Sequence, residues 1–168
     1  MEIEIITREM VHTLEMRAET PAWSAATAIA GICTRISEYL QEQKEEPTGV
    51  PFVIFTEIDW KRAASDGKLA SFIKMFTNKW KLIVGFPVKS QMQGSGEIVQ
   101  GTIAKGRYIK ALHCGPHQKS GDTYKAILAW AIENKLNMKN ESVEFLLNDQ
   151  RTAKPQDFRT EILVPLVD

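Results

Sequence analysis

The sequence has little of what would hold or address a protein by special means. Its 168 residues include two cysteines, Cys33 and Cys114. They lie far apart with no CxxC spacing, so a disulfide framework is not expected. Charge of one sign is missing as well: Lys plus Arg is 21 and Asp plus Glu is 21. Without clustered positive charge to neutralise phosphates, a dedicated nucleic-acid binder is not expected. No apolar run reaches the roughly 20 residues that cross a bilayer. The start, Met1-Glu2-Ile3-Glu4-Ile5, is acidic and lacks the basic patch and apolar core of a signal peptide, which points to the cytoplasm. There is no GxGxxG, no Walker loop and no serine elbow, and no cofactor is implied. What is there is an ordinary globular composition, 43% apolar and 25% charged. A chain of this length forms one domain and buries about 70% of the surface its unfolded form exposes.

Alternation marks Glu2–Arg8 as a strand, with a second around Val11–Arg17. After Pro21, Ser24 is placed to cap a helix in which Ile29, Ile32, Cys33, Ile36, Tyr39 and Leu40 share one face. Pro47-Thr48-Gly49 ends it, and Val50–Thr56 reads as a buried strand. Asp66-Gly67 marks a turn, and Leu69, Phe72, Ile73 and Phe76 suggest a short helix before a strand at Trp80–Val88. Gly94-Ser95-Gly96 then divides the chain near its middle. Strands at Glu97–Lys105 and Arg107–His113, Pro116, a helix over Ser120–Leu136, and strands at Val143–Asn148 and Thr160–Val167 follow. The order strand, proline, helix, strand, strand-with-proline thus occurs twice, in half-modules of about 1–90 and 97–168. Pro21 matches Pro116 and Pro87 matches Pro165. The expected fold is α+β: two tandem strand–helix–strand–strand modules about a pseudo-two-fold axis, with one curved antiparallel sheet and helices on one face. The opposite, concave face is where this reading places a ligand cleft.

The residues Tyr108-Ile109-Lys110-Ala111-Leu112-His113-Cys114-Gly115-Pro116-His117, Tyr124 with Trp130, Glu144-Phe145-Leu146-Leu147-Asn148-Asp149, Thr160-Glu161-Ile162 and Val164-Pro165 together resemble the GyrI-like family. These are gyrase-inhibitor-like small-molecule-binding domains, also found as effector-binding domains of multidrug-responsive activators. The resemblance covers most of the chain and is tightest over 106–167. It implies the same doubled module; since nothing in the chain resembles an attached helix-turn-helix segment, a stand-alone member is expected.

Glu161 is the leading candidate for the functional centre. Ile162, Val164 and Leu166 form one strand face, so Glu161 points to the other, and the resemblance makes this Glu the acidic group that meets cationic or electrophilic aromatic ligands. A flat ligand also calls for aromatic walls. Trp23, Phe55, Trp60, Phe86, Tyr108 and Phe145 are candidates, with Trp23 and Trp60 favoured because they fall in loop-like segments; Trp130 reads as core. Phe55 matches Leu146 of the second half, where the family often has Tyr. Glu57 and Glu144 compete as a second carboxylate; a pair would repel and raise one pKa, improving a base. His113, Cys114 and His117 cluster in sequence but fall short of the four ligands of a structural zinc site, so no metal is expected.

Two functions follow. The resemblance implies either a hydrolase that opens cyclopropanoid, DNA-alkylating electrophiles, with Glu161 activating water, or a non-catalytic binder of flat hydrophobic or cationic drugs. A gyrase-inhibiting partner role is the third.

Overall fold

The structure, a computed structural model, describes residues 2–65, 79–149 and 151–167. The turn at Asp66-Gly67 and the helix expected over Leu69–Phe76 lie outside the described residues. The described residues form eleven helices and strands, in chain order. They are β1 (Ile3–Arg8), β2 (Val11–Pro21), α1 (Ala25–Glu42), β3 (Phe52–Thr56), α2 (Trp60–Ser65) and β4 (Lys79–Val88), then β5 (Val99–Ile103), β6 (Gly106–Cys114), α3 (Ser120–Glu133), β7 (Glu141–Leu146) and β8 (Arg159–Pro165). Within the described residues the expected elements are present with ends moved by a few residues, as helix and strand ends usually are.

The strands form one antiparallel sheet in the order β1-β6-β8-β7-β3-β4-β2-β5. That order reads as a palindrome of the two modules. β3 and β7 meet at the centre, and each module lends its first strand to the other: β1 pairs with β6, and β5 with β2. At the middle, Val53 lies opposite Glu144. A two-fold axis through that pair carries β3 onto β7, β4 onto β8 and β2 onto β6. The prolines obey it. Pro21 and Pro116 have near-identical backbone angles (φ −63°, ψ 149° and φ −66°, ψ 143°), and each opens a single 3-10 turn that runs into a long helix. Proline suits that corner because its φ is preset and no N–H is left over. Pro87 and Pro165 likewise occupy matching strand positions, their carbonyls accepting from Thr48 N and Lys139 N at 2.9 and 2.8 Å.

Both long helices pack on the same face. α1 buries Ile32, Ile36 and Leu40 on Leu14, Met16, Val53, Leu82 and Val84. α3 buries Tyr124, Ile127, Leu128 and Ala131 on Ile109, Ala111, Ile162 and Val164. Each fully buried aliphatic side chain contributes about 1.5–3 kcal/mol. Ser24 departs from its expected role: its Oγ makes no cap to the helix and instead donates to Pro21 O at 3.2 Å while sharing a 2.7 Å bond with Thr20.

The opposite face, which carries no helix among the described residues, departs further. It is not an open cleft. Phe52, Ile54, Tyr108, Val143, Phe145 and Leu163 are buried there as a third core, joined by Ile103 and flanked by Ile6 and Val11. The strand exchange explains the closure, because the β1–β2 and β5–β6 turns come together over this face and are tied by the Lys105–Glu9 ion pair at 2.9 Å. Backbone space is also used up. Phe52 lies against the Cα of Gly85, and the carboxylate of Glu15 fills the place where Gly101 would carry a Cβ. No helix among the described residues is long and apolar enough to cross a membrane.

Candidate functional site

The sheet pleat sorts the sequence candidates by face. Glu161 pairs with Leu112 and Phe145, which puts it on the helix-free side, at the rim of the closed core. There it accepts from Arg8 Nη1 at 3.2 Å, and the Arg8 guanidinium lies 4.7 Å above the centre of the Phe145 ring. Its charge is therefore already matched from within the chain. Tyr108 is buried on the same side and donates to Ala104 O at 2.6 Å. Burial, with a smaller contribution from Glu141, raises the pKa of its phenol. Phe86 faces the other way and packs under α1.

Two candidates are surface residues. Glu57 follows β3 at a positive φ of 63° and pairs with Lys81 at 2.7 Å in the open. Trp23 is 88% exposed, on the turn before α1. The loop reading holds for Trp23 and not for Trp60, which opens α2, is 4% exposed, and sends its Nε1–H to Lys139 O at 2.8 Å.

The remaining candidates converge on the helix side. Phe55, Trp60, Glu144 and Leu146 gather along the seam where the α1 and α3 cores meet above β3 and β7. Phe55 touches both cores and takes the edge of Trp80 at 5.3 Å and 79°. Trp60 sits 6.0 Å from Tyr124 across α3. Leu146 stands on the α1 side, its position equivalent to that of Phe55. At the axis itself lies Glu144, 4% exposed. Tyr124 donates its hydroxyl proton to Glu144 Oε1 at 2.7 Å, and the 2.8 Å contact with Ser142 Oγ then makes Ser142 the donor to Tyr124. A short relay results, Ser142 to Tyr124 to Glu144.

Burial raises the Glu144 pKa, against the Tyr124 hydrogen bond and the more distant His117 and His113, which lower it. Tyr124 is pushed well above its ordinary value by burial and by the adjacent carboxylate, so it stays a donor. Among the described residues, Glu144 makes no ion pair. His113 is already committed within the core: Nε2 donates to Pro116 O at 3.2 Å while Thr123 Oγ1 serves Nδ1 at 2.9 Å. Cys114 is exposed. The sequence cluster of His113, Cys114 and His117 therefore does not converge, and among the described residues no group of three or more metal-binding side chains is found.

Tyr124, Ser142 and Trp80 were not singled out from the sequence as site residues. One signal was present. In Val143-Glu144-Phe145-Leu146 a carboxylate is flanked by large apolar residues within a strand, which marks a charge carried into the core.

The family described as GyrI-like small molecule binding domain matches residues 67–167. Among solved structures, the chain is similar to the C-terminal domain of EcmrR, with a TM-score of 0.72 at 13% identity over 99% of this chain and 98% of that one. It is also similar to a hydrolase encoded by lin2189 from Listeria innocua, with a TM-score of 0.66 at 12% identity over 99% and 92%. A third is SAV2435 bound to tetraphenylphosphonium, with a TM-score of 0.58 at 13% identity over 99% and 94%. At these identities the likeness is one of fold. No curated protein sequence matches the chain.

Proposed function

We propose, on the premise that this chain belongs to the GyrI-like small-molecule-binding family, that it binds flat or bulky aromatic cations at the seam between α1 and α3, with Glu144 as counter-charge. One observation carries the reading: Glu144 is buried on the pseudo-two-fold axis with Tyr124 as its neutral hydrogen-bond donor and, among the described residues, no ion-pair partner. An uncompensated buried carboxylate costs free energy. A ligand cation offsets that cost, and Phe55, Trp60, Trp80 and Tyr124 supply ring faces that attract delocalised positive charge. Glu161 is the weaker centre because Arg8 already neutralises it; its role in this reading is to fasten β1 to β8. The fold-level relative bound to tetraphenylphosphonium names a suitable probe. Titration of that cation with detection by tryptophan fluorescence should saturate, and Glu144→Gln should weaken it strongly. Unchanged affinity in that variant would sink the assignment.

A second reading is hydrolysis of cyclopropanoid electrophiles. Its support is the raised pKa of Glu144, which is what a general base near neutral pH needs. Glu144 would take a proton from a water whose oxygen bonds one cyclopropane carbon. The C–C bond to that carbon breaks, its electron pair passes into the conjugated ring system, and that system takes the proton back from Glu144, so that the net change is addition of one water. Incubation with a cyclopropane-bearing aromatic compound should give a product heavier by one water, and Glu144→Gln should suppress it. Absence of that product from the native protein removes this reading and leaves the binding one intact.

A further inference from the structure

Thr160 carries an observation that neither reading uses. Its Oγ1 is buried and has no hydrogen-bond partner, the only such side-chain atom among the described residues, and the residue is 1% exposed. Buried hydroxyls are nearly always paired, and an orphan commonly marks the place of a missing polar partner. Position makes the orphan informative. Thr160 pairs with His113 on β6 and Leu146 on β7, so it lies on the helix side, in the same layer as Glu144. Ile162, two residues along β8, is the direct partner of Glu144. Thr160 is therefore a diagonal neighbour of Glu144, about 7–8 Å away between backbones. Its polar neighbour on β6 leaves it nothing: both nitrogens of His113 are engaged, by Thr123 and Pro116.

We propose that Thr160 is a specificity residue of the seam site, a hydroxyl reserved for a hydrogen-bonding group on the ligand. The preferred ligands are then aromatic cations that also carry a hydroxyl, amine or carbonyl one ring away from the charge. The inference rests on the reading of Glu144 as counter-charge but concerns a different contact. A threonine hydroxyl both donates and accepts, so it discriminates for the presence of a polar group rather than for one kind.

The test uses the full chain and a matched set of probes: tetraphenylphosphonium, which has no hydrogen-bonding group, and its analogues bearing a single meta- or para-hydroxyl. Native protein should bind at least one hydroxylated analogue roughly 2- to 10-fold more tightly than the parent cation, the range expected for one net hydrogen bond. Thr160→Val keeps shape and should abolish that preference while leaving affinity for the parent within two-fold; Thr160→Ser should retain it. Glu144→Gln should weaken all probes alike. A preference unchanged in Thr160→Val overturns the inference even if Glu144→Gln behaves as expected. A preference lost in Thr160→Val with no effect of Glu144→Gln keeps Thr160 and overturns Glu144. If none of the probes binds, both assignments fall. Thr160→Val should also raise the thermal midpoint, since an unpaired buried hydroxyl is removed; a lowered midpoint contradicts the orphan itself.

Discussion

Replacing Glu144 by Gln should make the ligand-free protein more stable and its cation complex weaker, and pH should modulate the two in opposite directions. Because burial holds the folded-state pKa of Glu144 above its unfolded value, the proton favours the folded state. That contribution is fully present below the unfolded pKa and is lost as pH rises through the folded one. The native protein should therefore lose stability over that window, and the Gln variant, which does not titrate, should not. Cation affinity runs the other way. It should grow as pH rises through the same window, because the charged carboxylate is the binding form, and binding should release up to one proton. Truncating one partner of a buried charge pair costs about 2–5 kcal/mol, or roughly 30- to 5,000-fold in affinity. With tetraphenylphosphonium at 100 times the native Kd, linkage stabilises the fold by about 2.7 kcal/mol. In a domain of this size that is roughly 5–10 °C in Tm. A 30-fold loss of affinity leaves less than about 1 kcal/mol of that stabilisation at the same concentration. Thermal melts of both proteins from pH 4 to 8, with and without the cation, measure all four quantities. If the ligand-free native and Gln proteins show parallel pH profiles, or if the cation shifts both midpoints equally, then Glu144 is a neutral core group and the site lies elsewhere.

Three other outcomes separate the residues that the sequence grouped together. Trp60→Ala should cost about 3–5 kcal/mol of stability as a buried aromatic truncation, whereas Trp23→Ala, at an exposed position, should change stability by less than about 0.5 kcal/mol; urea unfolding distinguishes them. Glu161→Gln should cost at most about 1 kcal/mol, as expected of a partly exposed ion pair with Arg8, and should leave tetraphenylphosphonium affinity within two-fold; a loss matching that of Glu144→Gln would move the counter-charge to Glu161. Gly101→Ala should destabilise because its Cβ meets the Glu15 carboxylate, and a double-mutant cycle with Glu15→Ala should recover most of that loss; additive effects would show that Glu15 is not the obstacle.

The architecture was legible because its repeat is written in residues with strong local meaning. Pro21 and Pro116 could be matched from sequence since proline restricts its own φ wherever it stands, and the two corners have the same backbone angles. Helix faces were legible for the same reason: Ile32, Ile36 and Leu40 follow the helical period and are buried. The exchange of β1 and β5 between modules was not legible. It is a choice of partner between distant strands, and the alternation of a strand reports which residues share a face without naming the neighbour. That exchange decides which face stays open to a ligand. Once the turns that follow the exchanged strands β1 and β5 meet over the helix-free side, Phe52, Tyr108 and Phe145 become core, and the alternation that puts Glu161 on that face does not show that the face is full.

The same geometry explains why the weaker-looking carboxylate is the one to test. Glu144 and Glu161 lie on adjacent strands but on opposite faces, since Phe145 rather than Glu144 is the partner of Glu161. Alternation alone therefore offers two equal acids. Their surroundings differ in kind. Glu161 stands at a rim beside an arginine stacked on Phe145, so its charge is matched before any ligand arrives. Glu144 stands on the axis opposite Val53, the residue that the symmetry of the fold puts at the same position of the other module. A pseudo-symmetric sheet has no structural need for a carboxylate on one side of its axis where valine serves on the other. Val53 fills its position with apolar contact under α1, while Glu144 takes a hydrogen bond from Tyr124, which Ser142 in turn supports. Replacing Glu144 by a residue of the Val53 type should then give a more stable protein with no affinity for cations. That outcome would show the acid is kept for binding, whereas a destabilised Glu144→Val protein would show it is kept for the fold.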